Sequence, residues 1–215
     1  MRLVLASGSP SRRAILRGAG VEPLVHPADV DEDAIRAACG PDAAPEDVVA
    51  ALARAKSQAV AASYPEDVVI ACDSMLLIDG ELMGKPHTVE ATVQRWRQQA
   101  GREAELLTAH CIGGPGGEGR EGRAGGDGRA VIERVARTRL RFAQAHEEDI
   151  LAYARTGEPL ECAGAFTLEA LGGWFVDRIE GDPSNVIGLS LPTVRAALYE
   201  MGLDVHPFWN LASTD

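Results

Sequence analysis

The sequence of 215 residues lacks the features of several large protein classes. Its longest apolar runs, around residues 68–72 and 75–78, are far shorter than the roughly 20 residues that span a membrane. Positive charge is not in excess either, since the formal net charge is −11 and the isoelectric point is about 4.9. Proteins that bind the phosphate backbone of nucleic acids carry a basic face, so we expect no nucleic-acid polymer and no membrane as partners. A small phosphorylated substrate remains compatible, because it needs only a local cluster of cations.

Cysteine is scarce and scattered. No two cysteines form a C-x-x-C pair, the spacing typical of many metal and redox sites; the four are Cys39, Cys72, Cys111 and Cys162. Residues 1–6 are too short for the apolar core of a signal peptide. We therefore expect reduced thiols in a cytoplasmic protein and no cysteine-bound metal.

Lysine is almost absent. Only two of the 21 basic residues are lysine, Lys56 and Lys85, and the remainder are arginine. Arginine substitutes freely for a surface lysine, but not for a compact ammonium that acts as a point charge on a phosphate. Two interpretations are open: these are leftover surface lysines, or they are retained for a phosphate contact.

The apolar pattern predicts an irregular alternation of strands and helices, which favours an α/β fold with some antiparallel pairing. The length fits one compact domain over residues 1–215, with the Gly-rich, charged tract at 113–129 as a loop between two strands. The predicted strands lie at residues 2–6, 24–26, 68–72, 75–78, 81–83, 105–112, 130–142 and 174–179, and the predicted helices at residues 10–19, 45–63, 88–100, 146–156 and 191–201.

The first candidate site is a small-residue turn between the first predicted strand and helix, with the sequence SGSPSRR at residues 7–13. Such a turn directs free backbone N–H groups and the positive end of a helix dipole toward one point, which suits an anion. Ser9, Arg12 and Arg13 would add side-chain donors. An ordinary strand-to-helix turn with a serine cap is the alternative.

The second candidate is Asp73, which directly follows the strand predicted at 68–72. Ligands of open α/β sheets lie outside the carboxyl ends of strands, so a carboxylate there is well placed for a metal or a water. An aspartate that merely turns the chain gives the same pattern. Lys85 in a rigid Gly-Lys-Pro turn suits a phosphate clamp, and Lys56 on a predicted helix suits either a phosphate or a side chain that extends to solvent.

The acidic run Asp31-Glu32-Asp33 also has two interpretations. It could hold a divalent ion together with Asp73, or its carboxylates could be solvated. The five histidines show no H-x-x-x-H or triad spacing, so we assign them no role.

Three segments of the chain carry distinctive motifs. The first is LVLASGSPSRRAIL at residues 3–16, the second comprises ACDSM and GELMGKP within residues 71–86, and the third comprises GEPLECAGAFTLEALGGWFV and IEGDPSNVIGLSLP within residues 157–192. Together, and in this order, they resemble the Maf family of nucleoside triphosphate pyrophosphatases, with the Gly-rich tract as the main departure. The resemblance implies an elongated mixed sheet flanked by helices around a central cleft, similar to the inosine-triphosphatase type.

The resemblance also implies an activity and its residues. The activity is that of a hydrolase acting on acid anhydrides, which cleaves a nucleoside triphosphate to a monophosphate and diphosphate, with a divalent metal (Mg²⁺ or Mn²⁺), and removes modified nucleotides as a homodimer. Asp73 matches the family's proton acceptor, and Glu32 matches an acidic residue near the metal, which Asp73 would also hold. The residues that match triphosphate contacts are Ser9, Arg12, Lys56 and Lys85. Because many members have arginine at Ser11, Arg13 is a further candidate, and the choice between Arg12 and Arg13 stays open.

The preferred base also stays open between a 7-methyl-GTP-like purine and UTP or dTTP. Glu169 stands where the family's thymidine- and uridine-preferring branch has glutamine. A carboxylate offers only acceptors, which suits the N1–H and N2–H₂ donors of guanine. Trp174 would stack on a cationic methylated ring, or it belongs to the core.

Two other classes of function are open as well. One is a nucleotide-binding regulator of septum formation without turnover. The other is a structural or partner-binding protein.

Overall fold

The computed structural model describes residues 1–115, 123–124 and 129–210, with only the backbone of residues 123–124. Most of the Gly-rich tract predicted at 113–129 therefore lies outside the described residues. The strands are β1 Leu3–Leu5, β2 Leu24–Val25, β3 Val68–Ile78, β4 Glu81–Met83, β5 Glu103–Gly114, β6 Arg123–Ala124, β7 Ala130–Phe142 and β8 Val176–Glu180. The α-helices are α1 Pro10–Gly18, α2 Glu32–Cys39, α3 Pro45–Ala61, α4 Val89–Gln99, α5 Glu147–Arg155, α6 Pro183–Ile187 and α7 Leu191–Glu200.

The chain forms two compact units. Unit 1 contains the described residues of Met1–Asp73, Ala109–Ala136 and Gly188–Asp215, and unit 2 contains Ser74–Thr108 and Arg137–Ile187. The strands β3, β5 and β7 each contribute residues to both units. The single domain expected over residues 1–215 stays a prediction.

Parallel and antiparallel strand pairs are both present. Hydrogen-bonded neighbours follow the order β2, β1, β3, β5, β7 and β6, with β4 on β3 and β8 on β7. β1 pairs in parallel with β2 and β3, whereas β4, β6 and β8 pair antiparallel with their neighbours. The prediction of a mixed sheet flanked by helices is confirmed.

The core of unit 1 covers both faces of β1. Leu3 and Leu5 pack with residues of α1 and α7, while Val4 and Ala6 pack with Val60 of α3. A parallel strand buried on both faces has no polar alternation, which explains the uninterrupted apolar run at this point of the sequence.

The core of unit 2 is centred on Trp96 of α4, which is fully buried. Its ring makes edge-to-face contacts with Phe142, Tyr153 and Phe175, with centroids 5.4–5.7 Å apart. Its Nε1 donates a hydrogen bond of 2.7 Å to the carbonyl oxygen of Ala165. This bond ties the irregular segment around Ala165 to the helical layer of unit 2.

Several elements differ from the prediction, and the short helix α6 and strand β6 are among those not expected. The strand expected to end at residue 72 continues to Ile78, so Asp73 lies in the middle of β3 and not at its end. The strand continues because residues 76–78 pair with β4, and because the side chains of Asp73 and Ser74 both have hydrogen-bond partners in the fold. Helix α2 was not expected; Asp31 caps it, and two acidic residues in its first turn suit the helix dipole.

No helix in the described ranges is both long and apolar enough to cross a membrane. The four cysteines are all free thiols, as predicted.

Candidate active site

The turn after β1 is organised by two serine hydroxyls. Ser7 Oγ accepts hydrogen bonds from the backbone N–H of Ser9 (3.2 Å) and from Arg12 Nη1 (3.1 Å). Ser9 caps α1 by accepting from the backbone N–H of Arg12. Arg12 Nε donates to the carbonyl oxygen of Gly188 at 2.7 Å. These contacts hold the Arg12 guanidinium at the N-terminus of α1, where helix dipole and side chain both favour an anion.

Arg13 is engaged elsewhere. Its Nη2 lies 2.7 Å from Oε1 of the exposed Glu22, whose other oxygen lies 2.8 Å from Arg17 Nε. The arginines next to each other in sequence thus serve different contacts: Arg12 joins the turn after β1, and Arg13 forms a surface ion pair.

The register of β1 against β3 brings Asp73 near this turn. Leu5, the last residue of β1, lies beside Ile70, and the backbone N–H of Ala6 donates to the Ile70 carbonyl at 2.8 Å. Asp73 therefore follows the point where β1 leaves β3 to enter the turn. The parallel pairing of β1 with β3 ends here, but β3 itself continues, so the expected placement of Asp73 at the end of its own strand is wrong.

The residue before Asp73 on β3 is Cys72, whose thiol is fully buried. Burial raises its pKa to about 12, and the charges of Arg12 and Lys56 act in the opposite direction. The thiol stays protonated and is not a nucleophile here.

Lys56 of α3 lies between two carboxylates. Its Nζ is 2.7 Å from Asp73 Oδ1 and 2.8 Å from Glu32 Oε1, and only 12% of its side chain is exposed. The second oxygen of Asp73, Oδ2, is buried and has no hydrogen-bond partner among the residues that the structure describes. A buried carboxylate oxygen without a donor is costly, so this oxygen is available to a ligand.

The three acidic residues of the predicted run have three different environments. Asp31 caps α2, and the almost fully exposed Asp33 pairs with Arg36. Glu32 binds Lys56 through one oxygen and Arg36 through the other, at 3.0 Å. Among the described residues, only Glu32 of the run is thus paired with the lysine that also binds Asp73.

In unit 2, Lys85 lies in a fixed turn. The Gly84 carbonyl accepts from the backbone N–H of Gly164 at 3.2 Å. Lys85 Nζ is 3.4 Å from Glu161 Oε2, and His87 Nδ1 is 3.0 Å from the other oxygen of Glu161. The ammonium is half exposed, so a phosphate can displace Glu161 at little cost, since exposed ion pairs contribute only about 0–1 kcal/mol.

Glu158 organises the loop at residues 167–172. Its carboxylate accepts hydrogen bonds from Tyr153 Oη (3.1 Å), from the backbone N–H groups of Leu171 (3.2 Å) and Gly172 (3.1 Å), and from Thr167 Oγ1. Partial burial raises the pKa of Glu158, but these donors outweigh burial, so its pKa lies below the ordinary range. A Cβ on Gly172 would lie 2.4 Å from the Thr167 carbonyl oxygen, so the loop requires glycine there.

Glu158 was given no role from the sequence, although it lies within the quoted motif GEPLECAG. An acidic residue between a glycine and a proline gives no sign that its carboxylate will be surrounded by donors from a segment nine to fourteen residues later. Only the folded loop shows this role.

The loop held by Glu158 carries Glu169. Glu169 is exposed, and its Oε2 accepts from the backbone N–H of Leu168 at 3.1 Å. Trp174 follows in a 3₁₀ turn over Leu171–Phe175 and is 83% exposed. The alternative that placed Trp174 in the core is therefore wrong, because the neighbouring Phe175 packs on Trp96 instead.

A protein-family model described as Maf-like protein matches residues 2–201 of this chain. The chain belongs to the Maf family. The matched range includes all the predicted site residues of the two units. The recognition made from the three motifs is thereby confirmed.

Relatives within the Maf family are similar over almost their whole length. A Corynebacterium aurimucosum protein is 63% identical over 209 residues, which cover 97% of this chain and 98% of that protein. A Nocardia farcinica protein is 54% identical, with 96% of each chain covered, and a Rhodococcus erythropolis protein is 51% identical, with 99% of this chain and 98% of that one covered. All three are named nucleoside triphosphate pyrophosphatase.

Among solved structures, the Staphylococcus aureus Ham1 protein matches with a TM-score of 0.40 at 18% identity. The match covers 67% of this Maf-family chain and 73% of the Ham1 chain.

Proposed function

We propose that this Maf-family chain is a nucleoside triphosphate pyrophosphatase, which hydrolyses a nucleoside triphosphate to a monophosphate and diphosphate. The names of relatives at 51–63% identity support this activity. The observation that carries the site is Asp73: one of its oxygens is paired with Lys56, and the other is buried with no donor among the described residues.

Hydrolysis between the α and β phosphates needs an oriented water, a base, and cations on a highly charged leaving group. Positioning and electrostatics provide most of the catalysis in phosphoryl transfer. In our proposal Asp73 Oδ2 accepts a hydrogen bond from the attacking water and takes its proton. Ser9 and Arg12 bind the phosphates at the N-terminus of α1, and Lys56 supplies a further positive charge.

The residues present also fit a divalent cation. Among the described residues, no group of three or more histidine, cysteine, aspartate and glutamate side chains could hold a metal alone. Mg²⁺, however, is commonly bound by one or two carboxylates together with substrate phosphates and waters. We propose that Glu32 and Asp73 would hold Mg²⁺ or Mn²⁺ through the oxygens that Lys56 now binds, which leaves Asp73 Oδ2 to the water. When bound, the ion would neutralise phosphate charge and acidify water.

The decisive experiment is a panel of normal and modified nucleoside triphosphates, assayed for diphosphate release with Mg²⁺ and with Mn²⁺. We expect diphosphate and the corresponding monophosphate in equal amounts, and no release without a divalent ion. Nucleotide binding without any diphosphate release would favour the regulator without turnover. Release of orthophosphate instead of diphosphate would contradict the site of cleavage.

Three further properties belong to the proposal. We propose a cytoplasmic homodimer that acts on free nucleotides and not on nucleic acid or at a membrane. The free thiols and the net charge of −11 support the location and the substrate class, and the family resemblance supports the dimer. Light scattering coupled to gel filtration tests the dimer: a mass of one chain at micromolar concentration would contradict it.

Lys85→Ala is expected to lower kcat/KM for the triphosphate by about ten- to a hundredfold, because a charge-assisted contact contributes about 1.5–3 kcal/mol. The affinity for the monophosphate product should change much less, since Lys85 is assigned to the leaving diphosphate. Steady-state kinetics and product inhibition measure the two effects. The control is Arg97→Ala, which removes an exposed cation paired with Glu147 in the same unit. Equal losses for both nucleotides would move Lys85 away from the β and γ phosphates.

Glu169 is proposed to read the base, with Trp174 as a stacking surface. We expect 7-methyl-GTP or GTP to be cleaved better than UTP or dTTP. Glu169→Gln should shift the ratio of kcat/KM values toward UTP, because an amide offers the donor that a carboxylate lacks. Competition assays with paired nucleotides measure this ratio.

The control for Glu169→Gln is Glu180→Gln, an exposed carboxylate on β8 that should leave the ratio unchanged. A wild-type preference for UTP or dTTP would refute the role of Glu169, and so would a ratio that the glutamine does not alter.

A further inference from the structure

The Lys56 ammonium occupies the position of a cation shared by two carboxylates. It lies 2.8 Å from Glu32 and 2.7 Å from Asp73, and it is largely buried. These are short charge-assisted contacts, and one ammonium is shared by both acids. A role in phosphate binding alone does not explain why the ammonium is paired with two carboxylates.

One carboxylate oxygen of this cluster nevertheless lacks a hydrogen-bond donor among the described residues. Glu32 has Arg36 on its second oxygen, 3.0 Å away. Asp73 has no donor on Oδ2 among the described residues, although this oxygen is buried. Among the described residues the cluster therefore leaves one buried carboxylate oxygen without a donor, as a site that exchanges one cation for another would.

We propose that Lys56 is a stand-in for the divalent cation: its ammonium neutralises Glu32 and Asp73 in the nucleotide-free protein and transfers to phosphate when the ion arrives. The inference rests on the proposed function, because it takes the metal site from it. A divalent ion and an ammonium repel each other when both are placed between the same carboxylates. Lys56 therefore suppresses binding of the metal alone, and phosphate relieves this suppression by giving the ammonium a new partner. Metal and triphosphate thus promote each other's binding.

Mn²⁺ alone, titrated without nucleotide and followed by the electron paramagnetic resonance of the free ion, tests the proposal. Wild type should bind Mn²⁺ weakly. Lys56→Met and Lys56→Gln should each bind it at least about tenfold more tightly, because the competing charge is gone. Lys56→Arg keeps a cation and should bind as weakly as wild type. Lys85→Met should not change the affinity, since Lys85 is paired with Glu161 instead.

A gain of affinity cannot come from a damaged fold. Adding Asp73→Asn to Lys56→Met should abolish the gain, which ties it to the carboxylate. If Lys56→Met fails to fold without metal, Mn²⁺ should restore its circular dichroism spectrum, and failure to restore it would overturn the proposal. Unchanged or weaker Mn²⁺ binding by the folded neutral variants would overturn it too.

The outcome is separable from that of the proposed function. Diphosphate release by wild type combined with unchanged Mn²⁺ affinity in the Lys56 variants would leave the activity standing and remove the stand-in role. A gain of Mn²⁺ affinity in a protein that releases no diphosphate would do the reverse.

Discussion

Asp73→Asn is expected to lower kcat by about 10²–10⁴-fold, the usual contribution of a general base. The amide has nearly the shape of the carboxylate, and its oxygen can still accept from Lys56, which now binds at 2.7 Å. It cannot take a proton from water. We therefore expect triphosphate binding, measured by calorimetry without a divalent ion, to survive, while diphosphate release with Mg²⁺ almost disappears.

The matched control is Asp67→Asn in the same unit. Asp67 is also a buried carboxylate, and its pKa is held below the ordinary range by hydrogen bonds from Arg2. Loss of its charge should reduce stability and leave kcat per folded molecule unchanged. If Asp73→Asn kept more than about a tenth of wild-type kcat, Asp73 would not be the base.

Arg12→Ala is expected to reduce kcat/KM by about ten- to a hundredfold, because it removes a charge-assisted phosphate contact at the N-terminus of α1. Arg13→Ala should change kcat/KM by no more than about twofold, because it removes only an exposed ion pair with Glu22. The two variants alter neighbouring residues of one helix and remove the same charge, so each controls for the other.

Thermal unfolding must accompany the kinetics of Arg12→Ala, since Arg12 also binds Gly188 and Ser7. Arg12→Lys retains a charge and should recover part of the loss. Equal losses for Arg12→Ala and Arg13→Ala would mean that the surface pair of Arg13 opens to bind substrate, and a larger loss for Arg13→Ala would reverse the assignment.

Much of the fold follows from local sequence signals. Ser9 before Pro10 predicts the start of α1, and Thr88 predicts that of α4; both side chains accept the expected capping hydrogen bond. Helix α2 was missed because its apolar face is short and the acidic run, which forms its cap and first turn, was not interpreted as a helix start. The Asp31 cap and the acidic first turn were nevertheless present in the sequence as signals.

The position at which β3 ends could not be predicted from the sequence around it. Asp73 and Ser74 interrupt an apolar run, and such a polar pair normally marks a turn. In the folded chain Asp73 is satisfied by Lys56, and Ser74 Oγ lies 2.9 Å from Thr108 Oγ1. These hydrogen-bond partners belong to other elements, α3 and β5, and they stabilise the two polar side chains inside a continuous strand. The local sequence around residues 68–78 does not contain them.

The sequence by itself determined the chemistry available to this protein: two lysines, a serine-rich turn before a helix, and one aspartate within an apolar run. The sequence also identified the family, because three motifs in a fixed order can be recognised without knowing any contact. Which charges meet was decided only by the tertiary structure. Arg12 and Arg13 are adjacent and chemically identical, and only the packing of α1 decides that Arg12 binds Gly188 and Arg13 binds Glu22. Likewise Glu32, Lys56 and Asp73 lie far apart in sequence, and their ion pairs form because α2, α3 and β3 bring both carboxylates within 3 Å of Lys56 Nζ.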